Sequence, residues 1–293
     1  MRRKLIKQGL GGLTFYVPKK WSERLNLKPG DEIDVEEDGN TLMITPEKII
    51  KNEKITINTT EMNDNSLKIA LVSAYWQGFE TIILISKKPF KIVKVNKLVG
   101  SLVGLVVTDQ SDNKIEIKNV ASENIEDVEK IINKIFITTH YQITKAIELF
   151  EGDVSHIEEI KELKKAVTKQ GNYCRRIIFS TNFGKSKSYE YNIIILLHKK
   201  ITSILSRFCS SYNKLSPKFK KETKNYLIKI EKWFSQLQKS YLKSDITSAL
   251  KMHDLMAAER DKLYISREYP PALSVVMEFM FSLSSRIVSV LIK

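Results

Sequence analysis

From about residue 121 onward, apolar side chains recur at helical spacing with only short interruptions, and this limits the fold more than any other feature of the chain. In one stretch Phe219, Tyr226, Leu227, Ile230, Trp233, Phe234 and Leu237 keep that spacing, with lysines between them. The breaks "EGD", "NFGKSKS", "KLSP", "KSD" and "YPP" divide the region into six helices, near 123–152, 154–180, 188–212, 217–242, 245–265 and 271–292. Helices joined by such short breaks predict an antiparallel bundle, or two bundles of three. The last of them is strongly apolar. Glu278, Arg286 and several serines mark it as a buried bundle helix, so no membrane insertion is expected.

Residues 54–120 follow a different rhythm. "KITINTT" and "ETIILIS" read as strands, with the amphipathic helix "DNSLKIALVSAYWQGF" between them, ended by Gly78. That order predicts a βαβ unit. A short helix around "KIVKVNKLVG" and the hairpin "LVGLVVTDQSDNKIEIKNV" complete a small α/β module.

The first 46 residues are shorter-grained again. "RRKLIKQ", "LTFYVP", "DEIDVEE" and "TLMITP" read as strands, and "KKWSERL" as a helix opened by Pro18, which has no amide hydrogen to leave unpaired. Pro29 and Gly30 suit the two central positions of a type II turn, and Gly39 in "EDGN" suits a tight hairpin at positive φ. The fold class is therefore multidomain α+β, divided as 1–47, 54–120 and 121–293.

Charge in the front region is polarised. Residues 1–30 hold Arg2, Arg3, Lys4, Lys7, Lys19, Lys20, Arg24 and Lys28 against a single acid, Glu23. Residues 31–38 hold six acids and no base. The whole chain carries a formal charge of +14, which favours anionic partners. A basic pole of this kind suits the phosphates of DNA, since each Lys or Arg contact releases condensed counterions. Four short strands cannot cover their own edges and faces, so a second copy is expected to complete the unit.

The segment "RKLIKQGLGGLTFYVPKKWSERLNLKPGDEIDVEEDGNTLMITP" resembles the swapped-hairpin DNA-binding domains of the AbrB/SpoVT/MazE type. The shared frame is a basic first strand, a Gly-rich turn, "V-P-K-x-W", "L-x-L-K-x-G-D" and "D-G-x-L-x-I-x-P". The version here is similar to archaeal proteins that fuse this domain to a PhoU-like helical region of two three-helix repeats. The resemblance implies an intertwined homodimer forming a swapped-hairpin β-barrel on double-stranded DNA. It assigns DNA contacts to Arg2, Arg3, Lys4 and Lys7 from the first strand, and to Lys19, Lys20 and Arg24 from the helix. Thr14 stands near the Gly-rich turn, where many relatives have a basic residue, and Trp21 is expected to pack rather than to contact bases.

PhoU-like proteins carry Glu-x-x-x-Asp pairs that place two carboxylates one turn apart around a metal ion. Only Glu158, Glu162 and Asp254 approach that pattern here, with His156 and His253 nearby, and Ala258 stands one turn after Asp254. These are too few for an oxygen-ligand site, so no metal or other cofactor is assigned. The twelve basic residues between Lys199 and Lys243, against Glu222 and Glu231, form a solvated face or a second polyanion surface.

No GxxxxGK[ST], strand-following GxGxxG, HExxH or GxSxG motif occurs, and no enzyme is expected. Cys174 and Cys209 are isolated, which excludes a disulfide framework, and "MRRKLIKQGLGG" lacks a leader's apolar segment; a reducing cytoplasm suits both. The sequence thus predicts a dimeric DNA-binding transcriptional regulator, linked through the PhoU resemblance to phosphate homeostasis. The alternative is a PhoU-like interaction protein that docks a transporter or signalling partner and uses its front domain only to dimerise.

Overall fold

The computed structural model describes residues 2–9, 11–38, 40–46, 54–122, 124–181, 183, 187–266 and 270–292. The chain divides into two compact units, residues 1–51 and 52–293.

The front unit contains two separate antiparallel ribbons and one short helix. Strands β1 (Ile6–Gln8) and β2 (Gly12–Thr14) pair with Ile6 opposite Thr14. Helix α1 (Lys19–Arg24) follows, its first turn closed by the amides of Trp21 and Ser22 on the carbonyl of Pro18. The predicted type II turn is present: the Asp31 amide donates to the Lys28 carbonyl at 3.1 Å, and Gly30 has φ +96°. Strands β3 (Ile33–Asp38) and β4 (Thr41–Pro46) then form the second ribbon, with Asp38 opposite Thr41. Gly39, expected at positive φ, lies outside the described residues.

One expectation changes. The first two strands are three residues each, so Arg2, Arg3 and Lys4 precede β1 instead of lying on it. Within the one chain the two ribbons form separate sheets. The short pairing has a physical reason. A lone two-stranded ribbon has no third strand or packed face to stabilise further pairing.

The rear unit begins with a four-stranded sheet in the order β5-β6-β8-β7. Helix α2 (Asp64–Trp76) connects the parallel strands β5 (Lys54–Asn58) and β6 (Thr81–Ile85), the βαβ unit that the alternation predicts. The Asn63 side chain caps α2, accepting from the amides of Asn65 and Ser66 at 3.0 Å each. Gly78 ends it at φ +81°. Helix α3 (Ile92–Val99) and the hairpin β7 (Leu105–Gln110)–β8 (Lys114–Asn119) complete a core that includes Leu71, Tyr75, Ile82, Leu84, Val95 and Ile117.

Six helices follow: α4 (Asp127–Glu151), α5 (His156–Thr181), α6 (Ser188–Cys209), α7 (Pro217–Leu242), α8 (Ile246–Ser266) and α9 (Pro271–Leu291). Ser216 caps α7, and Asp245 binds the Ser248 amide in the first turn of α8, which places both starts close to where the sequence puts them. Consecutive helices pack together within α4–α6 and within α7–α9, while α4 against α7 and α6 against α9 join the two sets around one core. Helix α9 is long and apolar enough to cross a membrane, with a mean hydropathy of 1.5. Here Leu273, Val276, Met277, Met280, Leu283 and Ile287 are fully buried, and Arg286 pairs with Glu190 of α6 at 3.2 Å.

One contact ties the helices to the sheet module. Arg176 of α5 is fully buried. It donates to the carbonyls of Tyr75, Gly78 and Phe79 and to the Glu80 carboxylate, at 2.9–3.3 Å. The guanidinium's fork of donors gathers several carbonyls at the end of α2.

Candidate nucleic-acid interface

The described basic residues of the front unit all reach solvent. Arg2, Arg3 and Lys4 lie in extended chain before β1, and Lys7 is on β1 opposite Leu13. Lys19 and Lys20 open α1 and Arg24 closes it. Lys20 and Arg24 are one helical turn apart and share a face. Lys19 shares its face with Glu23, and the two pair at 3.6 Å, both well exposed. Such an exposed pair is weak, yet it sets Lys19 apart from the other cations of the group. The Thr14 hydroxyl turns back to the Ile6 carbonyl at 3.4 Å and is held within the hairpin. Trp21 is half-buried, as are Leu25 and Leu27 beyond it.

The sequence reading did not single out the apolar residues on the same unit. Leu5, Leu13, Tyr16, Val35 and Leu42 are 56–76% exposed, and Ile6, Phe15 and Ile33 are exposed as well. None of the side chains described between residues 2 and 46 is buried. Their alternation along short strands was visible in the sequence, but only the structure shows that the described residues of the unit bury none of them. So many exposed large apolar side chains on one small unit point to an interaction face.

The carboxylates singled out for metal binding are not brought together. Glu158 pairs with Lys161 at 2.5 Å and Glu162 with Lys165 at 2.6 Å, each facing solvent on α5. Asp254 is exposed on α8. His156 instead contacts Glu148, Asp153 and Glu159 at 2.8–3.1 Å, and His253 contacts the Ser284 hydroxyl at 2.9 Å. Among the described residues no three His, Cys, Asp or Glu side chains are arranged to hold a metal ion. Both cysteines are buried, and burial pushes their thiols up to about 12, so they stay protonated.

With this geometry in place, the comparisons bear on the front unit alone. Residues 16–52 match the family model for MazE, the antidote-toxin recognition family of bacterial antitoxins. The match takes in Lys19, Lys20 and Arg24 but not the four basic residues before β2. No curated protein and no solved structure matches the chain.

Proposed function

We propose that this protein is a homodimeric DNA-binding transcriptional regulator without catalytic activity, working in the cytoplasm. Two front units pair through their exposed apolar faces, close a swapped-hairpin barrel and present Arg2, Arg3, Lys4, Lys7, Lys19, Lys20 and Arg24 to the phosphates of duplex DNA. One observation carries this reading: a unit whose described side chains are all at least partly exposed, with a MazE-like domain in it, needs a second chain. The polarity of its charges supports DNA as the ligand.

The six helices and the sheet module act in this reading as a sensing or docking region. An effector bound there shifts the population of relative placements of the two DNA-binding units. The link to phosphate homeostasis, and the description of the helices as a PhoU-like pair of three-helix repeats, rest on the resemblance drawn from the sequence.

Fluorescence anisotropy with labelled duplex DNA tests the reading. Binding at micromolar protein in low salt, weakening linearly in log salt, is the expected result; no binding there refutes it. A second reading is favoured by the description of the matched family as antitoxins that recognise a toxin. In that case the front unit dimerises and the chain engages a protein partner, such as a toxin, a transporter or a signalling protein. Pull-down of one stoichiometric partner by a dimer that binds no duplex would decide for it.

A further inference from the structure

The rear unit holds a second concentration of positive charge, built very differently from the first. On α2, Lys68, Val72 and Trp76 follow one another at single-turn spacing. On α5, Lys164, Thr168, Gly171, Asn172 and Arg175 run along one stripe, and α2 packs against this helix. On α6, Lys199 and Arg207 are two turns apart, and α6 packs on α5.

At one level of this groove, two cations share a single ring. The Arg175 guanidinium lies 3.6 Å from the centre of the Trp76 ring and the Lys199 ammonium 5.2 Å from it. Lys199 donates to the Asn172 amide oxygen at 2.7 Å. Its stem runs over Gly171, where a Cβ would come within 2.9 Å of Ile195 and 3.0 Å of the Lys199 Cδ. Among the described residues, the buried indole N–H of Trp76 and Nε–H of Arg175 have no partner. Lys164 stands seven residues before Gly171, about 10 Å along the axis at 1.5 Å per residue, which places a second level of charge there.

None of Lys68, Lys164, Arg175, Lys199 and Arg207 has a carboxylate within ion-pair distance among the described residues. Elsewhere on the same helix the pattern is the opposite, since Lys161 and Lys165 each have a glutamate three residues away. Burial first, and then repulsion from Arg175, Lys68 and Lys200, brings Lys199 down to about 8. Lys164 is lowered likewise, by burial and then by Lys68, Lys165 and Arg207. Lys164, Arg175 and Lys199, half-buried without counter-charge beside the exposed Lys68 and Arg207, cost stability unless an anion joins them.

We propose that the groove between α2, α5 and α6 is a binding site for a small phosphate-class polyanion, held by Lys68, Lys164, Arg175, Lys199 and Arg207. Charges spread along α5 from Lys164 to Arg175, about 16 Å by helical rise, match a short chain of linked phosphates better than a single phosphate. Lys164, Arg175 and Lys199 are half-buried between helices, whereas the described cations of the front unit are exposed. The site requires no DNA binding by the front unit.

Calorimetry and thermal melting of the full chain test it, with inorganic tripolyphosphate, inorganic phosphate and duplex DNA as probes at fixed ionic strength. Tripolyphosphate is expected to bind saturably and raise the melting temperature, with orthophosphate at least tenfold weaker. Lys199→Gln and Lys164→Gln should each weaken tripolyphosphate at least tenfold, and each should melt higher than the parent chain without anion. Lys161→Gln, and the combined Lys19→Ala, Lys20→Ala and Arg24→Ala change, should leave the affinity unaltered. The proposal is overturned by the absence of saturable binding to the parent chain. It is equally overturned if the two groove variants keep parental affinity, or if the front-unit changes remove the binding.

Discussion

The two units obey the same physical rules and reach opposite outcomes. In the rear unit, Phe136, Ile143, Ile177, Ile201, Phe234 and Met280 are fully buried within one cluster spanning the helices. In the front unit no described side chain is buried, and Tyr16 is 76% exposed. Long helices with a wide apolar stripe can bury each other inside one chain; three-residue strands cannot. Exposed apolar residues therefore mean different things in the two places. Singly, on the helices, they are ordinary surface. Collected on a unit that has no core, they indicate a missing partner.

The largest effect that could break this contrast is expected in the rear core. Phe234→Ala removes a ring packed between Phe136, His140 and His198, and should cost about 3–5 kcal/mol in denaturant unfolding, independent of protein concentration. The same measurement on Leu42→Ala, in the front unit, should give a loss that fades as the protein is diluted below its dimer dissociation constant. A concentration-independent loss at Leu42 would mean that the front unit is complete alone.

Next in size is the tie between helices and sheet. Arg176→Met leaves the carbonyls of Tyr75, Gly78 and Phe79 without their buried donor and should cost about 3 kcal/mol or more. Hydrogen exchange should localise the loosening to the end of α2 and the adjoining strand β6. Uniform loosening across α4–α9 would show that Arg176 does not join two parts but only supports the bundle.

A third, pH-dependent contrast separates the units. Burial holds His198 of α6 down to about 3, with its Nδ1 3.0 Å from the Thr139 hydroxyl and its Nε2 without a partner. The folded pKa lies below the unfolded value of 6.5, so the unfolded chain binds more protons between those limits. The contribution from this residue is therefore complete above about pH 6.5 and is lost steadily as the pH falls toward 3. Replacing it with Gln should flatten that part of the stability profile of the rear unit. An unchanged slope would exclude His198 as its source.

These tests also mark what could be read from residues alone. The stripe on α7, the βαβ order, the Gly30 turn and the Gly78 stop were legible because each is a local rule of spacing or φ. The lengths of β1 and β2 were not, since strand pairing depends on what covers the ribbon, and no described side chain of the front unit is buried. The seven basic residues assigned to DNA were legible as charge, and the apolar residues beside them only as alternation. Arg176 and Lys199 were hidden for another reason. Both stand inside apolar helical runs, and nothing in the sequence states which carbonyls or rings a distant segment brings to them.

The smallest expected effect is also the sharpest test of how the front unit meets DNA. Each phosphate contact contributes about 0.9 to the slope of log affinity against log salt. Lys20 and Arg24 share an unopposed face of α1, so in a dimer each Ala substitution should remove about two such contacts. Lys19 begins from an exposed pair with Glu23, which it must give up before it meets a phosphate. That pair is worth only about 0–1 kcal/mol, so Lys19→Ala should lower affinity less than Lys20→Ala while changing the slope in the same sense. Adding Glu23→Gln should then strengthen DNA binding through Lys19 and have no effect once Lys19 is Ala. If Glu23→Gln acts equally in both backgrounds, Lys19 makes no contact of its own and the DNA-facing side of α1 runs only along Lys20 and Arg24.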